Sequence, residues 1–390
     1  MPTLVRQPSW TVSIGGTEVP VKESEVILSA SGQLATATAQ CSIALMNYLG
    51  VSITSLAQSA DGATFDVQAG FDGQSDHIFG GILDHCEWDL ASDSVIIKAL
   101  DYGVVLRDTN ATVASLLNYR NQSVGQIIST IANNNGFTPK VTDPGVKAGP
   151  FMNNENSYNP HPQPYATMIQ NLAEQFGYDW YTTPDKQLYF GPEQTQGSFE
   201  VVWGASPSDK PDNPLQDLRF LYQPRDANEF QVKVISHDPA TGKLNSAHKS
   251  MNSNSLKRNK KSKSPTQIIG LSNGSKTSAS KSGGTASKKL TFVYRMDGLS
   301  PEACELKAQG IAKDLAKRLV VAEGCLEGLA KLKVHSELNI MQGNLDCQGF
   351  DGLSYGVTEV RHHWSPPQFG GGGTGFKTHF KALAQVDGGS

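Results

Sequence analysis

The sequence predicts a mixed β and α+β fold, with two β-rich units flanking a small α+β region. Three observations carry this. Apolar residues alternate through the first hundred positions, as in half-buried strands. Between Thr112 and Pro207 the apolar period becomes helical, and alternation resumes from about Leu215. The 390 residues are 38% hydrophobic and 18% charged, with 38 glycines, a turn-rich globular composition long enough for two to four domains. The expected units are residues 1–110, 111–210 and 211–390.

In the first unit, "TAQCSIAL" sets Ala39, Cys41, Ile43 and Leu45 on one face, and "FDVQAGF" does the same with Val67, Ala69 and Phe71. "FGGILDHCEWDL" and "SVIIKAL" follow across the turn-like "ASD". Short strands separated by Gly, Asp and Ser predict an antiparallel barrel or sandwich, closed by the short apolar Val104, Val105 and Leu106.

The middle unit says one phrase twice. Ile127-Ile128-x-x-Ile131-Ala132 matches Met168-Ile169-x-x-Leu172-Ala173, and in each copy a glycine and an aromatic follow after three residues. Each copy predicts a helix packed by one stripe, capped by a left-handed glycine and anchored by the aromatic beyond. Two copies predict one compact α+β core. Glu174 and Asp179 then fall on the surface, and Trp180 and Tyr181 divide between core and surface. "YDWYTTPDKQLYFGP" reads as a hairpin turning at Pro184 and Asp185.

"SPSDKPDNPLQD" reads as a hinge into the last unit. Strands follow at Leu218, Phe220 and Tyr222 and at Phe230, Val232 and Val234. A basic, flexible insertion is expected at 245–289, too poor in apolar residues to offset its ordering entropy. "LTFVYRM" then resumes the fold, and a helix is expected over 300–322, started by Ser300 and Pro301 with a stripe of Cys304, Ala308, Ile311, Leu315 and Leu319. The last strands are read at "AKLKVH", "LDCQGF", "LSYGVTEVRHHW" and "GFKTHFKALA".

The net charge of −4 hides an asymmetry. Pro239–Met296 carries 12 Lys and Arg and no acid, leaving 21 basic against 37 acidic residues elsewhere, a balance of −16. An acidic body does not grip nucleic acid. The basic tract, with Lys257, Arg258, Lys260, Lys261 and Lys263, is the candidate partner-binding feature, set against the plainer reading of a solvated loop. It has no aromatic beside it to stack on a base.

Fixed-spacing chemistry is missing. The chain has no phosphate loop, no H-E-x-x-H and no G-x-S-x-G. His362 and His363 point to opposite faces of a strand, which predicts one packed and one solvated histidine rather than a shared metal. His161, in "NPHPQP", reads as a turn residue, and the five cysteines read as mostly buried thiols. No catalytic residue, cofactor or metal is expected. A carboxylate pair for glycoside hydrolysis would be marked only by distance in space, which leaves a cell-wall hydrolase as the competing class. No window approaches the ~18 apolar residues of a membrane helix, and the N-terminus has no apolar core of a secretory signal.

The chain resembles the baseplate hub proteins of contractile-tailed phages, the late control protein D family, which is related to the N-terminal part of VgrG spikes. The resemblance is carried by "WTVSIGGTEV", "GFDGQSDHIFGGILDHCEWDLASDSVIIKALDYGVVLRD", "SVGQIISTIANNNGF", "PYATMIQNLAEQFGYDWYTTPDKQLYFGP", "LSYGVTEVRHHW" and "FKTHFKALA", in that order. The Lys/Ser insertion and the Pro/Asn-rich loop before His161 depart from the pattern. The resemblance implies two tail-tube-like antiparallel β-barrel domains per chain and a homotrimer forming a pseudo-hexameric ring. Its implied partners are the tail tube protein, the central spike protein, tape measure and baseplate wedge proteins, and DNA passing without sequence-specific binding. The implied place is the virion baseplate, after assembly in the host cytoplasm, with no membrane insertion. A tailocin or type VI-like secretion core would share this pattern.

Overall fold

The computed structural model describes residues 7–29, 36–44, 62–89, 91, 94–111, 119, 122–145, 163–204, 213–223, 230–237, 242–251, 255–259, 290–297, 299, 301–347, 349–366 and 375–386. The first unit contains β1 (Pro8–Ile14), β2 (Thr17–Val19), β3 (Glu23–Ser29), β4 (Thr36–Ala44), β5 (Thr64–Phe71), β6 (Gln74–Asp89) and β7 (Ser94–Asp101). All its pairs are antiparallel, in the order β3-β4-β7-β6-β5-β1-β2. Alternation does the work expected of it: Phe65, Val67 and Ala69 on β5 and Val95, Ile97 and Ala99 on β7 enter one core with Val12, Val26 and Phe79. The β5–β6 turn is Asp72-Gly73, with φ of 54° and 79°, a two-residue hairpin whose left-handed backbone suits Asp and Gly.

The middle unit follows with α1 (Val104–Asp108), β8 (Asn110–Ala111), α2 (Val124–Asn134), β9 (Thr138–Val141), β10 (Gln163–Pro164), α3 (Tyr165–Phe176), β11 (Asp179–Thr182) and β12 (Gln187–Gly191). The repeated phrase builds the same device twice. Ser123 caps α2 in a reciprocal capping box with Gln126. Beyond each helix a glycine is left-handed, Gly136 at φ 78° and Gly177 at φ 63°. The next amide then reaches back, Phe137 N–H to the Ala132 carbonyl at 2.9 Å and Tyr178 N–H to that of Ala173 at 2.8 Å. Both stripes, with Trp180, Leu188 and Phe190, share one core. The hairpin turns at Thr183–Lys186 as expected. Val104–Leu106 is helical, and Leu106 is buried in this middle core rather than closing the first unit.

The remainder contains β13 (Ser198–Trp203), β14 (Pro214–Tyr222), β15 (Phe230–His237), β16 (Leu244–Met251), β17 (Leu290–Asp297), α4 (Pro301–Lys317), β18 (Val320–Glu327), β19 (Glu337–Gln342), β20 (Ser354–Ser365) and β21 (Gly375–Ala384). Six strands close a barrel, β19-β13-β14-β18-β21-β20 and back to β19. β13 runs parallel to both its neighbours, and the other pairs are antiparallel.

Several readings of this region are corrected. Ser198–Trp203, inside the expected middle unit of 111–210, pairs with β19 over six residues and so belongs to the barrel. β15, β16 and β17 lie outside the barrel as a three-stranded sheet covered by α4, whose Cys304, Ala308, Ala312 and Ala316 face Phe230, Val232 and Val234. The helix ends at Lys317 instead of residue 322, because Val320 already begins a strand and Leu319 enters the barrel core. "AKLKVH" forms turns and the described residues of "LDCQGF" form no strand: Leu332 and Cys347 are buried from loops, and the missed strand is "ELNIMQ", with Leu338 and Ile340 inside.

Candidate functional site

The two barrel-like units are joined edge to edge. β20 pairs antiparallel with β3 from Glu359↔Ser29 to Trp364↔Ser24. The result is one run of eight strictly antiparallel strands, β14-β18-β21-β20-β3-β4-β7-β6. One face packs on the two cores, and the other is charged and open. On that open face a row crosses Arg219, Glu323, Lys381 and Glu359, changing sign at every strand. A second crosses Glu327, Lys377, His363 and Glu25. Four of the bases are paired: Lys381 lies 3.2 Å from Glu323, Arg361 3.6 Å from Glu25, His363 2.7 Å from Glu23 and Lys98 4.0 Å from Glu87. Such exposed pairs add little stability, but they leave no continuous cationic stripe for a polyanion.

The histidine pair behaves as the alternation requires. His362 is fully buried, with Nδ1 3.0 Å from the Thr378 hydroxyl and Nε2 3.3 Å from the Leu332 carbonyl. Burial pushes its pKa down to about 4, so the ring is a neutral packing group. His363 faces the charged side.

An aromatic cluster locks the joint. Trp10 stacks on Trp364 with centroids 6.4 Å apart, and Phe376 of β21 meets Trp10 at 5.4 Å and Phe71 at 5.6 Å.

The middle hairpin docks on the first unit. Gly80 permits the approach, since a Cβ there would lie 2.5 Å from the Pro184 carbonyl oxygen. Lys186 Nζ sits 4.7 Å over the Tyr102 ring. His77 bridges Asp66 at 3.2 Å and Asp185 at 3.1 Å, and the Asp66 contact in particular raises its pKa above 6.5. A raised histidine pKa stabilises the folded state fully below about pH 6.5 and loses that effect as pH rises through the folded value. Thermal melts at pH 5.5 and 8.5 should therefore show a shift that His77→Gln removes. Because His77 is 30% exposed, the difference is below about 1 kcal/mol.

Behind the hairpin is a cavity of about 190 Å³, reached by Leu28, Phe79, Asp101, Tyr181, Gln196 and His335. Asp101 accepts the Ala37 N–H at 2.7 Å and faces Arg107 at 3.7 Å, and burial raises its carboxyl to about 6. Asp179, read as a surface residue, is half-buried, with Oδ2 3.7 Å from His335 Nδ1. Burial and Glu193 hold its carboxyl above the usual range. Lys317 of α4 reaches Glu193 at 2.6 Å, and His335 stacks on Tyr181. This cluster ties the middle unit to the helix and to the barrel loop. Glu174 is exposed, Trp180 is buried and Tyr181 half-buried, as read from the sequence.

The basic set is divided. Lys257 donates to Glu337 Oε2 at 2.6 Å and to Gln385 Oε1 at 3.0 Å. Leu256 is buried in the barrel core, and Arg258 bridges Leu353. The stretch 255–259 is thus built onto the barrel, and residues 245–251 are in β16, which corrects the start of the flexible insertion. Lys260, Lys261 and Lys263 lie outside the described residues, as does His161.

Sequence reasoning missed the two ends of the eight-strand run. Over Asp217–Tyr222 β14 pairs only with β18, and over Asp84–Asp89 β6 pairs only with β7, among the described residues. Leu221 is 46% and Trp88 47% exposed, one at each edge. Leu221 falls between the core-packed Phe220 and Tyr222, whereas Trp88 lies opposite the buried Val95, on the core-facing side of β6.

No family model matches the chain, and no curated protein does. Solved structures do. The tail protein from Neisseria meningitidis MC58 superposes with a TM-score of 0.62 at 11% identity, covering 97% of this chain and 96% of that one. The chain has a tail-protein fold. The 43 kDa tail protein of prophage MuSo2 from Shewanella oneidensis agrees, with a TM-score of 0.59 at 10% identity over 97% of this chain and 98% of that one. The tail-protein fold extends over both barrel-like units, the middle unit and the side sheet, since nearly the whole chain is covered.

Proposed function

We propose that this protein is the structural baseplate hub of a contractile phage tail. In this reading three chains form a ring that joins a six-fold tail tube to a three-fold central spike and lets DNA pass. The observation that carries it is the joint between β20 and β3. One chain holds two barrel-like units side by side in one sheet, so three chains present six similar units on one side and three-fold symmetry on the other. The tail-protein fold supports the setting. The open face, with Lys98, Arg361, His363 and Lys381 paired to carboxylates, suits a channel to which DNA does not stick. Tape measure and wedge proteins would then contact the periphery, and the role is non-enzymatic.

The test is mass in solution with negative-stain imaging. A three-chain particle with a central pore is expected, and a compact monomer at every concentration would sink the hub reading. A zymogram on peptidoglycan separates the hydrolase alternative, which predicts clearing by the purified protein.

A further inference from the structure

The side sheet has one covered face and one open face. α4 lies over β15 and β16, and Phe230, Val232 and Val234 point into the core beneath it. Lys233 and Ile235 lie on the opposite face of β15, as the strand period requires. Register carries that open face across all three strands. One row runs His248–Lys233–Val293 and the next Ser246–Ile235–Arg295. His248, Lys233, Ser246 and Arg295 are exposed, and Val293 is 53% exposed. On the other face, β17 reaches beyond the cover of the helix. Phe292, Tyr294 and Met296 are only half-buried, and Leu290 is 49% exposed, an apolar ledge along the margin of the α4 core.

The charge of the open face is one-sided. The three strands carry one acid, Asp297, at the last register position opposite His237. Pro239–Met296 contains no acid. Among the described residues, neither Lys233 nor Arg295 is held in an ion pair. β17 pairs only with β15 among the described residues, so its other edge presents backbone N–H and C=O groups, a template for strand addition. The edge thus offers a backbone ladder, an apolar ledge on one side and cations on the other. An amphipathic strand fits all three. A nucleic acid fits them poorly: two cations make few phosphate contacts, and the aromatics of β17 belong to the α4 core instead of standing on the charged face.

We infer that the free edge of β17 docks an extended acidic segment of another protein, which adds to the side sheet as a fourth strand. Its apolar residues continue the α4 core over Leu290, Phe292 and Tyr294, and its carboxylates lie on the open face toward Arg295 and Lys233. The backbone ladder supplies affinity, and the two-faced side-chain pattern selects the partner. Charge complementarity decides which face of the incoming strand is acidic and disfavours a basic one. Docking here requires no ring and no particular oligomer.

A fluorescein-labelled peptide of alternating Val and Glu, titrated with the full chain and followed by fluorescence polarisation, is the probe. Saturable binding is expected, about tenfold tighter than that of the matching Val-Lys peptide. Lys233→Glu with Arg295→Glu should weaken it by about fivefold or more, the loss of two exposed ion pairs. Lys233→Gln with Arg295→Gln, expected to weaken it less, serves if the reversal folds poorly. Hydrogen exchange should show the amides of residues 290–297 gaining protection when the Val-Glu peptide is added. Equal binding of a Pro-Glu peptide of the same charge, which cannot form a ladder, would reduce the edge to a charged patch and overturn the proposal, as would unchanged protection of β17. Duplex DNA bound more tightly than the peptide, and released by the same reversals, would assign the face to nucleic acid. A double variant of smaller mass in solution than the wild type would assign it to a contact between copies. Either result overturns the proposal too.

Discussion

Phe376→Ala should destabilise the chain by about 3–5 kcal/mol, the cost of emptying a buried phenylalanine site. The ring belongs to a strand of the second barrel but is buried in the core of the first unit, 3% exposed. It touches Trp10 and Phe71 of the first unit and lies 5.8 Å from the buried His362 of the joint. It also rests on Gly328, where a Cβ would come within 2.1 Å of the ring, so the backbone beneath it is shaped for this side chain. Its loss removes packing and slackens the link between two cores. Urea unfolding followed by tryptophan fluorescence should show a lower midpoint and a separation of the two units' transitions. Leu338→Ala, confined to the barrel core, should lower stability without separating them. A Phe376→Ala cost under about 1 kcal/mol would show that the cores are held together by the β20–β3 backbone pairing alone.

Glu25→Lys combined with Glu323→Lys should turn a DNA-indifferent face into a DNA-binding one. Each reversal adds two positive charges and also strips a partner, Arg361 at 3.6 Å in one case and Lys381 at 3.2 Å in the other. The alternating row Arg219–Glu323–Lys381 becomes three bases in succession. Duplex DNA should then be retained at low salt, with log affinity falling by about 0.9 per phosphate contacted for each decade of salt. The wild-type protein should show no such retention. In assembled particles the same reversals should slow DNA ejection. Unchanged ejection would place this face away from the path of DNA.

Local physics was legible wherever one residue pattern decides one element. β5, β7 and β21 follow from alternation, because a strand with one face buried cannot shift by a residue without exposing its core side. The two helix-glycine-aromatic units follow from spacing and from the left-handed glycine, which few other residues replace. The histidine pair follows from the strand period. Readings failed where the same pattern had two uses. Leu332 and Cys347 sit in short apolar stretches, but loops deliver them to the core, so an inside residue did not imply a strand. β15 alternates as well as β14 does, yet it serves a different sheet, because partner choice depends on residues distant in sequence. Lys257 belongs to the basic tract by sequence, yet it is paired to Glu337, eighty positions away.

By itself, then, the sequence determined the elements whose pattern has a single use, the two β-rich units around an α+β middle and the absence of any fixed-spacing catalytic motif, since all of these are set by periods of two to four residues and by single turn positions. Only the tertiary structure decided that β20 joins β3, that the outer residues of β6 and β14 each pair with one strand among the described residues, and that four bases of the open face are paired to carboxylates across strands. Those facts depend on which strands become neighbours, a choice made by the summed burial of whole faces rather than by any local stretch of chain.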